Sequence, residues 1–110
     1  MTVEVRREAV VLSLEGRLDA ANSRKFDELL LARLAQGNVN FIVDFSNVEY
    51  MSSLTIRVFY TYGKLLKIKD GRIVIVNPQP LVKKVLDLVE MHRDFPVYPD
   101  VDSARAAFLA

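Results

Sequence analysis

The chain has 110 residues, 15 basic and 14 acidic side chains and a net charge of +1. That length is one domain, a hydrophobic fraction of 51% excludes a disordered chain, and balanced charge without a five-residue basic run excludes a nucleic-acid-backbone binder. The lack of cysteine excludes a disulfide framework, a thiolate metal site and a thiol nucleophile.

In chain order, residues 2–7 alternate, with Val3 and Val5 on one side and Glu4 and Arg6 on the other, which predicts a short half-exposed strand. This opening, Met1 to Glu8, has no apolar core of the kind a secretion signal carries. Ala9 to Leu14 is a second strand closed by Glu15-Gly16, and the break at Arg7-Glu8 makes the pair a hairpin. Asp19 to Ser23 starts a helix, with Asn22 or Ser23 as its cap. Phe26, Leu29, Leu30 and Leu34 recur at helical spacing, and Gly37 ends the helix. The run Leu29 to Ala32 is far too short to span a bilayer. With no cysteine, no leader and no such span, a cytoplasmic protein without direct membrane insertion is expected.

Asn40 to Phe45 is almost continuously apolar, the pattern of a central strand covered on both faces. A helix follows from about Leu54 to Leu66, with Thr55, Val58, Phe59, Tyr62, Leu65 and Leu66 in one stripe. Gly63 inside it costs roughly 1 kcal/mol against alanine, which points to close packing against a neighbour. Lys67 to Gly71 is a turn, and Arg72 to Val76 is another core strand ended by Asn77-Pro78. Pro80 suits a first helical position, and Leu81, Val82, Val85, Leu88 and Val89 give a third stripe. Phe95 to Tyr98 is a short strand that Pro96 confines to an edge or a bulge. Asp100 caps a last helix with Val101, Ala104, Phe108 and Leu109 inward. The order β-β-α-β-α-β-α-β-α predicts an α/β fold, a mixed sheet with about four helices and right-handed crossovers, as one domain over residues 1–110.

No catalytic constellation is present. The one histidine, His92, reads as a solvated residue at a helix end, and alone it makes no zinc site of the usual kind. The phosphate-loop, dinucleotide and nucleophile-elbow motifs are missing, and the four glycines lie far apart. No metal, no cofactor and no enzymatic activity are expected. Asp19 is either a helix-entry carboxylate or a carboxylate at the same sheet end as Ser52 and Ser53. Asp44 reads as a charge turned out or paired at a strand end, with Asp44-Phe45-Ser46-Asn47 as a turn built by side-chain hydrogen bonds.

Ser52 and Ser53 stand where a buried strand hands over to a helix, a place that favours negative charge. A serine there is an N-cap worth about 1 kcal/mol, or it accepts a phosphoryl group, and the two are compatible. A phosphate adds roughly −1.5 to −2 charge, which the helix end tolerates and a partner docked over the neutral hydroxyl does not. The adjoining helix surface, with Ile56, Arg57, Tyr60, Thr61 and Lys64 off the core stripe, would complete the docking face.

These segments together resemble the STAS domain, the fold of bacterial anti-sigma-factor antagonists. The likeness is carried by Gly16-Arg17-Leu18-Asp19-Ala20-Ala21-Asn22, Phe41 to Val48, Tyr50-Met51-Ser52-Ser53-Leu54-Thr55-Ile56-Arg57-Val58 and Gly71 to Val82, and it continues through Phe95-Pro96-Val97-Tyr98-Pro99. In that family the third segment usually reads D-S-S-G-L-G-V or S-S-A-G-L-R-V. A partner kinase that is also the anti-sigma factor phosphorylates the serine after the first Asp or Ser. By position that serine is Ser53, with Ser52 and Thr55 as lesser candidates and Asp19 at the acidic position near the phosphosite. Leu54, Thr55, Ile56, Arg57 and Tyr60 are then the expected partner-binding surface. Leu54 and Thr55 stand where the family usually has Ser or Ala and Gly, and Glu90 replaces a frequent Gly. The resemblance implies a partner-switching regulator whose partner is an ATP-using anti-sigma factor and serine kinase. The rival reading is a non-phosphorylated STAS subunit or scaffold of an ABC-type transporter.

Overall fold

The computed structural model describes residues 1–109. The elements are β1 (Thr2–Val5), β2 (Val10–Leu18), α1 (Ala20–Ala35), β3 (Asn40–Met51), α2 (Ser53–Ile68), β4 (Arg72–Val76), α3 (Pro80–Leu88), a 3-10 turn (Met91–Arg93), β5 (Val97–Tyr98) and α4 (Val101–Leu109). They form the expected mixed α/β fold. The sheet order equals the chain order, β1-β2-β3-β4-β5. β1 runs antiparallel to β2, and the other pairs are parallel.

Each parallel crossover steps one strand in the same direction, so one handedness puts all the crossover helices on one face. The side chains agree. Leu12, Phe41, Val43, Phe45, Ile73 and Ile75 point into a core with Phe26 and Leu30 of α1, Phe59, Tyr62 and Leu66 of α2, and Val82 and Leu86 of α3. The alternate residues Val11, Ile42, Val74 and Val76 face the other way, onto Ala104, Val101 and Phe108 of α4. That alternation explains the near-continuous apolar runs of β3 and β4.

Several expectations need correction. β1 is shorter than residues 2–7 and wholly exposed, Val3 and Val5 included. β2 does not stop at Glu15-Gly16; it passes Gly16, whose φ of +72° glycine adopts without steric cost, to Leu18. β3 runs six residues beyond Phe45, to Met51. Asp44-Phe45-Ser46-Asn47 is a bulge inside it, since Ser13 and Glu15 pair with Asp44 and Asn47. The expected side-chain bond exists there: Asp44 Oδ1 accepts from the Ser46 N–H at 2.9 Å and its hydroxyl at 2.6 Å. Asp44 is therefore half-buried in mid-strand, not at a strand end.

The cap of α1 is Asp19, whose Oδ1 accepts from the Asn22 N–H at 3.0 Å, not Asn22 or Ser23. In α2 the stripe holds except for Leu65, which is exposed. In α3 the covered residues are Val82 and Leu86, with Val85 half-buried, whereas Leu81 and Leu88 are 73% and 83% exposed and Val89 lies beyond the helix. Leu109 is exposed too. β5 is only Val97–Tyr98, at the sheet edge as Pro96 required. Gly63 packs as expected: a Cβ there would lie 3.0 Å from the Phe95 ring. Glu90 sits at φ 58°, a left-handed conformation that favours glycine.

The far face is also tied electrostatically. Arg105 of α4 donates to Glu8, in the β1–β2 connection, and this hydrogen bond holds the Glu8 carboxyl below the ordinary glutamate range. A folded-state pKa lowered in this way stabilises above the unfolded value, near 4.5, and the contribution disappears as pH falls through the folded value. Urea unfolding should show wild type more stable than Glu8→Gln at pH 7, with the two curves converging in acid. A gap that stays constant with pH would refute the ion pair as its source.

Candidate functional site

The site is built at the carboxyl ends of β2 and β3. Leu18 pairs with Met51 as the last residue of each strand, and the Ser52 N–H donates to the Leu18 carbonyl at 3.1 Å. Asp19 and Ser52 are therefore the next residues out of two adjacent strands, and each leads into a helix. This brings Asp19 to the sheet end that carries Ser52 and Ser53, but its carboxylate is engaged in capping α1.

Ser52 occupies the N-cap position of α2, yet its side chain makes no cap hydrogen bond. The expected cap is absent because the hydroxyl turns inward. Its Oγ lies 3.4 Å from Ser23 Oγ and 3.5 Å from Thr55 Oγ1, and those two atoms are 2.8 Å apart. Thr55 also donates to the Leu18 carbonyl at 3.2 Å. Ser23 and Thr55 are the two buried polar residues of the chain's described part, 3% and 0% exposed. A buried hydroxyl needs a partner, and these satisfy each other between α1, β2 and α2.

Ser53 is different. It is the first residue of α2, exposed, and its hydroxyl has no hydrogen bond among the described residues. It stands beside the first N–H groups of the helix, which lack intrahelical partners. Arg57 is exposed one turn on, at the i+4 spacing that lets side chains meet on a helix surface.

The expected docking surface is corrected by this geometry. Thr55 is not on it: it lies in the core, and its hydroxyl is no accessible acceptor. Ile56 is half-buried against the main core. Tyr60 is half-buried too, edge-on to Phe95 with ring centroids 5.1 Å apart. Its hydroxyl donates to Asp94 at 2.7 Å, which pushes its pKa up to about 12. What remains open beside Ser53 is Leu54 and Arg57. The neighbouring strand ends add a pair that the sequence reading missed: Arg17 lies over the Tyr50 ring, 4.4 Å from its centroid, and both residues are exposed. No sequence signal marks that pair, since its register depends on the bulges of β3. Ser23 did have a signal, because 23, 26 and 30 share one helical face.

His92 is exposed in the 3-10 turn, 3.8 Å from Asp87. No cluster of metal-ligating side chains occurs among the described residues, nor does any described helix have the length and apolarity to cross a membrane.

A family model described as "STAS domain" matches residues 1–104. The chain belongs to the STAS domain family. Among curated proteins, this STAS domain is 27% identical over 99 residues to "Putative anti-sigma factor antagonist BtrV" of Bordetella bronchiseptica, which covers 90% of the chain and 85% of the relative. An anti-sigma factor antagonist from Mycobacterium paratuberculosis superposes with a TM-score of 0.88 at 23% identity, over 99% of this chain and 92% of that one. SpoIIAA in its unphosphorylated form gives 0.84 at 22% identity, over 99% and 96%. The phosphorylated form of the Bacillus protein gives 0.75 at 22% identity, over 96% and 97%. At these identities the structural likenesses establish the fold of the STAS domain.

The Ser23–Thr55 pair yields a stability test within this STAS domain. Thr55→Val keeps the shape and removes the hydroxyl, leaving Ser23 Oγ with its longer contacts only; a loss of about 1–2 kcal/mol is expected in urea unfolding. Adding Ser23→Ala should cost less than the two single losses summed, because both partners of one bond are then gone. Strict additivity would show that the two hydroxyls do not interact.

Proposed function

We propose that this chain is an anti-sigma-factor antagonist acting in the cytoplasm by partner switching. Unphosphorylated, it binds an ATP-using anti-sigma factor that is also a serine kinase, and the held sigma factor is freed. Phosphorylation of Ser53 breaks that complex. The observation that carries the reading is the contrast between the three hydroxyls: those of Ser52 and Thr55 are committed to an inward cluster, whereas that of Ser53 is exposed, unbonded and at a helix start.

In the phosphorylation step, Ser53 Oγ attacks the γ-phosphorus of ATP on the kinase. The bond from that phosphorus to the bridging oxygen breaks, ADP leaves, and the hydroxyl proton passes to a base of the kinase. The phosphoserine formed is favoured within this chain by the positive end of α2 and by Arg57 at i+4. The same charge is unfavourable in the complex, where a surface fitted to Leu54, Arg57 and a neutral serine would have to desolvate a dianion. The names of the relatives support the anti-sigma-factor assignment, and the existence of a phosphorylated form of a structural neighbour supports the switch.

The test is incubation of the Ser53→Ala protein with the cognate kinase and ATP, beside wild type and Ser52→Ala. Ser53→Ala is expected to incorporate no phosphate and Ser52→Ala to remain a substrate. Undiminished incorporation in Ser53→Ala would overturn the assignment.

A further inference from the structure

Three hydroxyls converge behind the start of α2. Ser23 comes from α1, Thr55 from the first turn of α2 and Ser52 from the residue between β3 and α2. Beside the contacts described above, Ser23 Oγ lies 3.4 Å from the Leu18 carbonyl oxygen. Three donors therefore approach that oxygen: the Ser52 N–H at 3.1 Å, the Thr55 hydroxyl at 3.2 Å and the Ser23 hydroxyl. A carbonyl has two lone pairs. One of the two buried hydroxyls donates to it, and the other donates to its neighbour at 2.8 Å. In either order, the oxygens of this pair are left as acceptors for the Ser52 hydroxyl. The three form a chain that begins at Ser52 and ends on Leu18.

The buried pair is more than the fold requires. Two apolar side chains would fill the same space at little or no net cost, and the Leu18 carbonyl already has the Ser52 N–H. What the hydroxyls add is direction. The oxygen of an N-cap serine ordinarily accepts from the N–H of the second or third helical residue, here Leu54 or Thr55. Ser52 has the extended backbone of an N-cap, with φ −87° and ψ 170°, and makes no such bond. The Thr55 N–H turns to the Ser52 carbonyl at 3.1 Å, and the N–H groups of Ser53 and Leu54 have no partner among the described residues. With Ser52 drawn inward, these two donors stand open beside the exposed Ser53 hydroxyl.

We propose that Ser23 and Thr55 are positioning residues for phosphorylated Ser53: they hold the Ser52 side chain off the helix end and so reserve the Ser53 and Leu54 N–H groups for the phosphate. This rests on the reading of Ser53 as the phosphorylated residue. The phosphate makes charge-assisted bonds to backbone donors at the helix N-terminus. Without the buried pair, the Ser52 hydroxyl loses its inner acceptors, swings to the cap and competes for the Leu54 N–H.

The experiment uses the full chain with phosphoserine installed at position 53 during translation, which needs no kinase. Phosphorus NMR against pH follows its second ionisation, ordinarily near about 6. Open donors at the helix start favour the dianion, so the wild-type chain should titrate about 0.5 unit lower. Arg57 on α2 and Asp19 at the end of β2, the charged groups flanking this helix start, are the same in every variant. In Ser23→Ala/Thr55→Val the value should return toward the ordinary one. Adding Ser52→Ala, which removes the competing oxygen, should lower it again, a rescue that a merely structural role would not give. Ser52→Ala alone should keep the wild-type value. Thr55→Val alone should move the value upward by less than the double variant, which provides the same test where the double variant fails to fold. One value for the wild type and the double variant, a rise that Ser52→Ala does not reverse, or a clear fall in Ser52→Ala alone would each overturn the proposal. Because the phosphoserine is installed, a kinase that ignores Ser53 would sink the switch and leave this measurement unaffected.

Discussion

Ser53→Glu is expected to weaken binding of the proposed kinase partner by about 30- to 150-fold, equivalent to 2–3 kcal/mol for a like or desolvated charge brought into an interface. The folded state should scarcely notice. Residue 53 is exposed and is the first residue of α2, where an acidic side chain is neutral or mildly favourable. Calorimetric titration against the partner and a thermal melt of the variant separate the two effects. An unchanged Kd would show that Ser53 lies outside the contact surface. A collapsed Tm would show that the residue matters to the fold instead. The prediction differs from the usual cost of an interface mutation because Leu54 and Arg57 remain in place. The loss then measures charge and not missing contact area.

Phe59→Ala is expected to cost about 3–5 kcal/mol, the range for truncating a buried aromatic. Phe59 is wholly buried at the centre of three other rings: Phe26, Phe45 and Phe95 lie 5.2, 5.8 and 5.2 Å away, at tilted or edge-on angles. These partners come from α1, β3 and the segment before β5, so a cavity there cannot close by the shift of one element. A domain of this size has a total stability of about 5–15 kcal/mol, and a loss of this order lowers Tm by roughly 15 °C or more. Phe59→Leu refills most of the space and should recover much of the loss. Thermal and urea unfolding check both variants, and a cost below about 1 kcal/mol for Phe59→Ala would mean that the ring cluster is not the keystone of the main core.

The element order, the Pro80 start of α3 and the packing role of Gly63 were legible because each rests on local chemistry: period, a fixed φ, a missing side chain. The length of β3 was not. Its bulges break the period of two, so Asp44 to Asn47 reads as a turn although the pairing resumes with Glu15 and Gly16. Helical stripes were read too wide. Periodicity gives the direction of the buried face, but Leu65, Leu81 and Leu88 show that its width depends on how far neighbours reach. At the site, the strand-to-helix turn and the choice of Ser53 rested on position and resemblance. The inward commitment of Ser52 and Thr55 was hidden because it depends on Ser23, some 30 residues away. Read alone, a serine at a helix start is a cap.

The sheet order that equals the chain order has a consequence for the chain as it leaves the ribosome. Every strand docks beside the one made just before it, so the sheet grows by local steps and no strand waits for a distant partner. The helix-bearing face is covered as synthesis proceeds, crossover by crossover. The opposite face is not. Val11, Ile42 and Val74 stay bare until Val101 to Phe108 emerge and α4 closes over them. The nascent chain therefore carries an uncovered apolar strip until α4 has been made, which is the surface that a chaperone would shield and that a chain stalled or cut before α4 would expose to aggregation.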